Sequence, residues 1–315
     1  MSPIRRLLSR LLLVPSLAAG GGDPAVPAAL SPAAAVKAFD YDAGAPLDVR
    51  FDSTWKEGAL TIRDLTYASP KGGRVPATLI VPDGPGPFAG VLLMHGLPGT
   101  RGVTLPEARA LARRGAVTLS IDAPFSRGAR ARGEILRFDE RDRDEQIQLI
   151  VDWRRGVDLL LARQDVDPKR LAYVGWSYGG AMGGLLAGVE KRLHAFALVV
   201  GDGGLVSHFL TGNDPSLDRL TPARRKRWLA AMQPIEPLRF VGHAAPAHLL
   251  FQNGRVDDIV PAANGRAYQE AGSQPKTVRW YDAGHGLDDE ATRDRREWLA
   301  REIGLAPEVT IPRSP

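Results

Sequence analysis

"RLAYVGWSYGG", residues 170–180, places Ser177 among three glycines directly after an apolar run. The run is typical of a buried strand, and the residues that follow Ser177 predict a glycine-rich helix. Glycine at positions 175 and 179 removes side chains that would clash in a sharp strand-to-helix turn. Such a turn exposes the serine hydroxyl at the end of a strand. A plain glycine turn with an incidental serine is the alternative.

Strands and helical stretches alternate on both sides of this turn, which is typical of a parallel sheet covered on both faces. Further apolar runs predict strands at residues 88–94, 116–122, 195–200, 247–254 and 277–281. Two earlier runs, residues 59–67 and 76–82, are separated by turn residues and predict antiparallel strands. We therefore expect an α/β fold with a mostly parallel central sheet of about eight strands, antiparallel at its N-terminal side, and helices on both faces.

Functional residues of such a sheet lie at the carboxyl ends of its strands, as Ser177 does. A serine nucleophile needs a base, and the base needs a carboxylate to orient it. "GRVDDIVP" offers Asp257 after one later strand, and "YDAGHG" offers His285 after the last. The chain order serine, aspartate, histidine is that of a known hydrolase arrangement. We predict that Ser177, Asp257 and His285 are the catalytic residues.

Other residues compete for these roles. Asp258 stands next to Asp257, and Asp202 follows the strand at 195–200, where the acid is found in some proteins of this kind. Among the other histidines, His208 could line a pocket, whereas the rest are more typical of surface or structural positions. These alternatives stay open on the sequence alone.

An acyl-transfer site also needs backbone N–H groups aimed at the developing oxyanion. "MHGLPG", residues 94–99, follows the strand at 88–94, and Pro98 has no N–H to donate. We predict that Leu97 and Tyr178 supply the two donors. His95 is interpreted as a structural residue that holds this loop.

The motifs "HGLPG", "GWSYGG", "GRVDDIVP" and "AGHG" together resemble the α/β-hydrolase superfamily over roughly residues 60–304. The resemblance is closest to the branch of dienelactone-hydrolase-like esterases and the catalytic domains of prolyl-oligopeptidase-type peptidases. The chain departs from dienelactone hydrolases proper, which use a cysteine nucleophile, because it has no cysteine. The large peptidases also carry a propeller domain, for which there is no room. The resemblance implies a stand-alone serine esterase, with a peptidase or amidase, or a non-catalytic binding protein, as alternatives.

Two segments are candidates for substrate selection. Residues 203–243 interrupt the alternation, and they predict a small cap insertion in which Trp228, Leu229 and Met232 face inward. A surface excursion is the alternative. Arg127, Arg130 and Arg132 lie at the carboxyl edge, where they could favour an acidic acyl group or form a solvated loop.

The N-terminus has the layout of a secretory signal peptide: three arginines, a short apolar run and small residues. Removal of residues 1–22 would lower the formal charge from +5 to +2, which disfavours nucleic acid as a partner. Gly20 occupies the place of the acylated cysteine of a lipoprotein, so we expect an exported protein with no stable membrane anchor.

The predicted organisation is a signal peptide (1–22), a linker (23–45), a catalytic domain (46–306) with its cap insertion at about 203–243, and a tail (307–315). A two-step acyl transfer requires no cofactor and no metal. The expected partner is a small-molecule ester, and the sequence leaves the oligomeric state open.

Overall fold

The computed structural model describes residues 32–128, 135–211 and 214–307. Its centre is one sheet of nine strands: β1 (Arg50–Glu57), β2 (Leu60–Ala68), β3 (Arg74–Pro82), β4 (Phe88–Met94), β5 (Ala116–Ile121), β6 (Val166–Trp176), β7 (Ala195–Val199), β8 (His248–Gly254) and β9 (Lys276–Tyr281). Their order across the sheet is β1-β2-β3-β5-β4-β6-β7-β8-β9.

The pairing changes from antiparallel to parallel at β5. Strands β1, β2 and β3 pair antiparallel with one another, and β3 pairs antiparallel with β5. Every pair from β5 to β9 is parallel. This pairing confirms the predicted fold class, with nine strands in place of about eight. The additional strand is β1, an edge strand whose residues are almost all exposed, so it carries no apolar alternation to predict it.

The helices are α1 (Pro32–Lys37), α2 (Leu105–Ala112), α3 (Glu140–Leu161), α4 (Tyr178–Val189), α5 (Leu205–Thr211), α6 (Pro222–Met232), α7 (Ala262–Ala271) and α8 (Asp289–Ile303). None of them, over the described ranges, is long and apolar enough to cross a bilayer.

Each face of the sheet is filled by its own hydrophobic cluster. Successive residues of β4 alternate between the two: Leu92 packs with Trp153 of α3 on one face, and Leu93 with Leu111 of α2 and Leu299 of α8 on the other. Both faces are therefore covered, and the carboxyl ends of the parallel strands remain as the place where a site can form.

A third cluster, which we call the insertion cluster, lies apart from these two. Its members come from residues 136–138 and from the segment 203–243: Leu136, Phe138, Leu205, Val206, Phe209, Leu217, Trp228 and Met232. The indole Nε1–H of Trp228 donates to Asp142 Oδ2 at 2.8 Å, which ties α6 to α3. Trp228 and Met232 are buried as expected, while Leu229 is half-buried.

The predicted signal peptide and residues 308–315 lie outside the described residues. The predicted linker is described from residue 32 onward, and this part packs on the domain. Phe39 is fully buried, with its ring 5.8 Å from that of Phe240 in an edge-on contact.

Candidate active site

Ser177 stands at the turn between β6 and α4, where the chain changes direction sharply. Its backbone angles, φ 54° and ψ −115°, lie in a region that residues other than glycine rarely adopt. The Ser177 N–H donates to the carbonyl oxygen of Val199 on the neighbouring strand at 2.8 Å. A strained serine held by the adjacent strand is the geometry of a nucleophile elbow.

Gly175 and Gly179 flank the serine at positions where no side chain fits. A Cβ on Gly175 would lie 2.3 Å from the carbonyl oxygen of Gly179. A Cβ on Gly179 would lie 2.8 Å from the carbonyl oxygen of Met94 and 2.9 Å from that of His95. All of these neighbours are backbone atoms, so the close approach of β6, α4 and the loop after β4 requires both glycines.

Gly175→Ala is expected to lower the free energy of unfolding by about 3 kcal/mol, because the new methyl group overpacks a backbone contact. Urea denaturation followed by tryptophan fluorescence measures the change. Gly286→Ala is the matched control, since its Cβ would meet no heavy atom within 4 Å. We expect that control to shift stability by less than about 0.5 kcal/mol. Equal effects of the two substitutions would contradict the argument from crowding.

His285 and Asp257 form a partly buried hydrogen-bonded pair in the loops after β9 and β8. His285 Nδ1–H donates to Asp257 Oδ2 at 2.8 Å. The other carboxylate oxygen, Oδ1, accepts the N–H groups of Ile259 and Val260 at 2.8 and 3.0 Å. The Asp257 side chain is 1% exposed, whereas Asp258 is exposed. The structure thus pairs His285 with Asp257 and leaves the imidazole Nε2 for the cavity side.

One cavity of about 280 Å³ brings the predicted site residues together. Ser177, His285, Leu97 and Tyr178 all line it, and most of the remaining wall is apolar: Pro98, Val103, Ile135, Leu136, Ala181, Leu205, Phe209, Ile259 and Val260. This size and composition suit a small organic molecule with few polar groups. Across the described residues, no three His, Asp or Glu side chains converge as metal ligands would.

The backbone near Ser177 limits which N–H groups can face an oxyanion. The N–H of Ser177 is bonded to Val199, and the N–H of Gly99 donates to the carbonyl oxygen of Gly96 at 2.8 Å. Tyr178 is the first residue of α4, so its N–H has no acceptor within the helix. Leu97 lines the same cavity as this helix start.

His95 lies under the loop that carries Leu97 and has both ring nitrogens engaged. Nδ1–H donates to the carbonyl oxygen of Gly96 at 2.8 Å, and Nε2 accepts the N–H of Ala123 at 3.2 Å. Burial lowers the pKa of His95, which favours the neutral ring. His95 therefore acts as a brace for the loop.

A second histidine–aspartate pair lines the same cavity. Asp202, the rival carboxylate of the sequence analysis, accepts a hydrogen bond at Oδ2 from His208 Nδ1–H at 2.9 Å. Sequence reasoning placed these two residues separately and missed their pairing. The sequence carries one indication of this pairing, which is that His208 lies only six residues after Asp202. Because the segment between them has no regular periodicity, that spacing does not predict a contact.

Arg127 takes no part in the cavity wall. Its guanidinium forms an ion pair with the buried Asp152 at 2.7 Å and donates to the carbonyl oxygen of Asp122. The suggestion that it binds an acidic acyl group is therefore wrong, and so is the alternative of a solvated side chain. Arg130 and Arg132 lie outside the described residues.

Solved structures with a similar fold are esterases and related hydrolases. An acetyl xylan esterase from Paenibacillus sp. R4 has a TM-score of 0.72 at 21% identity, over 85% of this chain and 92% of that one. Acetyl xylan esterase 1 from Thermoanaerobacterium sp. JW/SL YS485 has a TM-score of 0.70 at 16% identity, over 95% and 98%. A putative dienelactone hydrolase from Klebsiella pneumoniae subsp. pneumoniae has a TM-score of 0.56 at 17% identity, over 77% and 98%.

At these identities the structures show the fold alone, which is that of the α/β-hydrolases and confirms the resemblance. None of the curated proteins compared with the chain matches it significantly. A sequence model of one family matches residues 104–308, about two thirds of the chain, including Ser177, Asp257 and His285. The chain belongs to the prolyl oligopeptidase family.

Proposed function

We propose that this protein is a serine hydrolase that cleaves carboxylic esters through an acyl-enzyme. The observation that carries the proposal is the shared cavity, which the strained Ser177 and His285 both line, while Asp257 bonds His285 at Nδ1. A nucleophile, a base and an orienting carboxylate are the three parts that acyl transfer requires.

In the proposed cycle His285 Nε2 takes the proton of Ser177 as its Oγ attacks the ester carbonyl carbon. Asp257 fixes the ring through Nδ1–H and stabilises the imidazolium that forms. The N–H groups of Leu97 and Tyr178 donate to the tetrahedral oxyanion. His285 then protonates the leaving alcohol, and a water molecule repeats the sequence on the acyl-enzyme.

An ester is favoured over an amide by the structural neighbours. The similar structures named above are two acetyl xylan esterases and a putative dienelactone hydrolase. The small apolar cavity of about 280 Å³ also suits a short acyl group better than a long peptide. A peptidase or amidase is the second candidate, because the family to which the chain belongs is named after a peptidase.

A fluorophosphonate probe tests the proposal directly, since it labels an activated serine covalently. Wild-type protein is expected to take up one label and to hydrolyse 4-nitrophenyl acetate, whereas Ser177→Ala does neither. The second candidate is tested on the matched 4-nitroanilide, whose turnover we expect to be at least about a hundredfold slower. A folded wild-type protein that takes up no label would overturn the serine-hydrolase proposal, and faster anilide turnover would favour the amidase.

A further inference from the structure

The His208–Asp202 pair lines the cavity and is held in place by hydrogen bonds. Asp202 follows β7, and its Oδ1 accepts the N–H of Gly204 at 3.2 Å while Oδ2 accepts the Nδ1–H of His208. The His208 side chain is 19% exposed, and its ring makes an edge-on contact with Phe209 at 5.3 Å. With Nδ1 engaged by the carboxylate, Nε2 is the ring nitrogen left for a ligand in the cavity.

The helix that carries His208 is fixed from below by a buried carboxyl group. Glu236 accepts the N–H groups of Val206 and Ser207 at 3.2 and 2.8 Å, at the start of α5. Burial raises the pKa of Glu236 to about 8. At the other end of α5, Thr211 Oγ1–H donates to Asn264 Oδ1 at 2.9 Å. His208 is therefore positioned by contacts on both sides of its helix, as a binding residue has to be.

Asp202, bonded to His208 Nδ1 at 2.9 Å, and Asp214, on the same cavity, favour a proton on both ring nitrogens of His208. In that form Nε2–H can donate a hydrogen bond. Burial lowers the pKa of His208, but the hydrogen bond and the charge of Asp202 outweigh it, aided by the charges of Asp214 and Asp257. The net result is a raised pKa, which favours the imidazolium, and in that form both ring nitrogens carry a proton. A donor in an apolar cavity loses free energy unless a ligand atom accepts its hydrogen bond.

The charges around the cavity decide which acceptor fits. Asp214 lines the same wall as His208, and Asp202 already neutralises the imidazolium. A substrate carboxylate would therefore meet a second negative charge, whereas an uncharged oxygen would not. An uncharged oxygen still accepts the hydrogen bond that the alkyl chain of a simple ester cannot accept.

We propose that His208 is a specificity-determining residue whose Nε2–H donates to an uncharged oxygen, a hydroxyl or an ether, carried by the substrate beyond the scissile ester. The inference rests on the proposed ester hydrolysis and narrows its substrate class to oxygen-bearing esters. Asp202 is the positioning residue of this subsite.

Two isosteric substrate pairs test the proposal, each differing by one CH₂ replaced by oxygen. The acyl pair is 4-nitrophenyl butyrate and 4-nitrophenyl methoxyacetate, and the alcohol pair is butyl acetate and 2-methoxyethyl acetate. For each pair the ratio of kcat/KM, oxygen ester over alkyl ester, is measured for wild type and variant, so that intrinsic reactivity cancels. His208→Leu is expected to lower this ratio about tenfold in one pair, the size of one hydrogen bond. The pair that responds shows which part of the ester faces His208.

His208→Gln keeps an N–H donor and is expected to retain most of the ratio. Phe209→Leu, which alters the same wall without a polar atom, is expected to change rates but not the ratio. If His208→Leu does not fold, His208→Phe replaces it in the same comparison. An unchanged ratio in both pairs overturns the proposal. The charged ester 4-nitrophenyl hemisuccinate tests the assignment of an uncharged oxygen. If the wild type prefers this ester and His208→Leu abolishes the preference, the assignment is overturned.

The outcome separates this inference from the proposed function on which it rests. Ser177→Ala is expected to abolish turnover of all four esters. Residual turnover in that variant overturns the proposed function itself, whereas an unchanged ratio in an active enzyme overturns the role of His208 alone.

Discussion

His285→Ala is expected to lower kcat for 4-nitrophenyl acetate by about a million-fold, the loss that follows removal of the base from a serine hydrolase. Without the imidazole, the Ser177 proton has no acceptor and the leaving alcohol has no donor. Stopped assays over hours measure the residual rate, and active-site titration of the wild type fixes the enzyme concentration. The KM should change little, because the cavity wall that holds the substrate is mostly apolar.

His248→Ala is the matched control for this substitution. His248 begins β8, at the end of the strand away from Asp257, and its Nδ1 contacts Glu302 at 2.7 Å. Its replacement is expected to leave kcat/KM within about threefold of wild type. The double variant Ser177→Ala, His285→Ala should be no slower than either single variant, because the two residues act as one unit. Additive losses would contradict a shared role.

Asp257→Asn is expected to lower kcat by about ten-thousand-fold while the fold is retained. An amide in place of the carboxylate can present its NH₂ to His285 Nδ1, which selects the tautomer that cannot accept the serine proton at Nε2. Circular dichroism checks that the variant is folded, and steady-state kinetics on a chromogenic ester give the loss.

Two neighbouring carboxylates provide the comparison for Asp257. Asp258→Asn alters an exposed residue next in sequence and is expected to keep kcat within about threefold of wild type. Asp202→Asn alters the carboxylate bound to His208, so it should cost about tenfold at most. A loss at Asp202 that equals or exceeds the loss at Asp257 would show that the acid of the triad had been misassigned.

Most of the fold was predictable because the parallel strands are buried on both faces and read as apolar runs. The turn at Ser177 was predictable for a related reason, since only glycine tolerates the backbone contacts at Gly175 and Gly179. Strand β1 was not, because almost all of its residues are exposed and show no apolar alternation. The backbone hydrogen bonds of such a strand do not require particular residue types, so the sequence does not indicate them.

The polar contacts of the site also differ in how far the sequence predicts them. Each predicted catalytic residue lies at the end of a strand or in the loop that follows it, so the order of strands brings them together without knowledge of side-chain contacts. His208 lies on α5, inside a segment of short helices, and its distance from Asp202 depends on how that segment folds. The ion pair of Arg127 could not be predicted either. Its buried partner Asp152 lies on α3, and nothing in the local sequence links the two residues.

The insertion cluster shares no buried residue with the clusters that fill the two faces of the sheet. Three half-buried residues pack against both it and the core of the α3 face: Leu97, Ile135 and Tyr178. Two of these three are the residues whose N–H groups we assign to the oxyanion. The proposed catalytic residues thus lie in loops at the ends of strands, whereas part of the cavity wall beside them belongs to a separately packed cluster. Substitutions in that part of the wall would alter the packing of Leu97 and Tyr178, and with it the position of their N–H groups. Redesign of the cavity should therefore leave the packing around these two side chains intact.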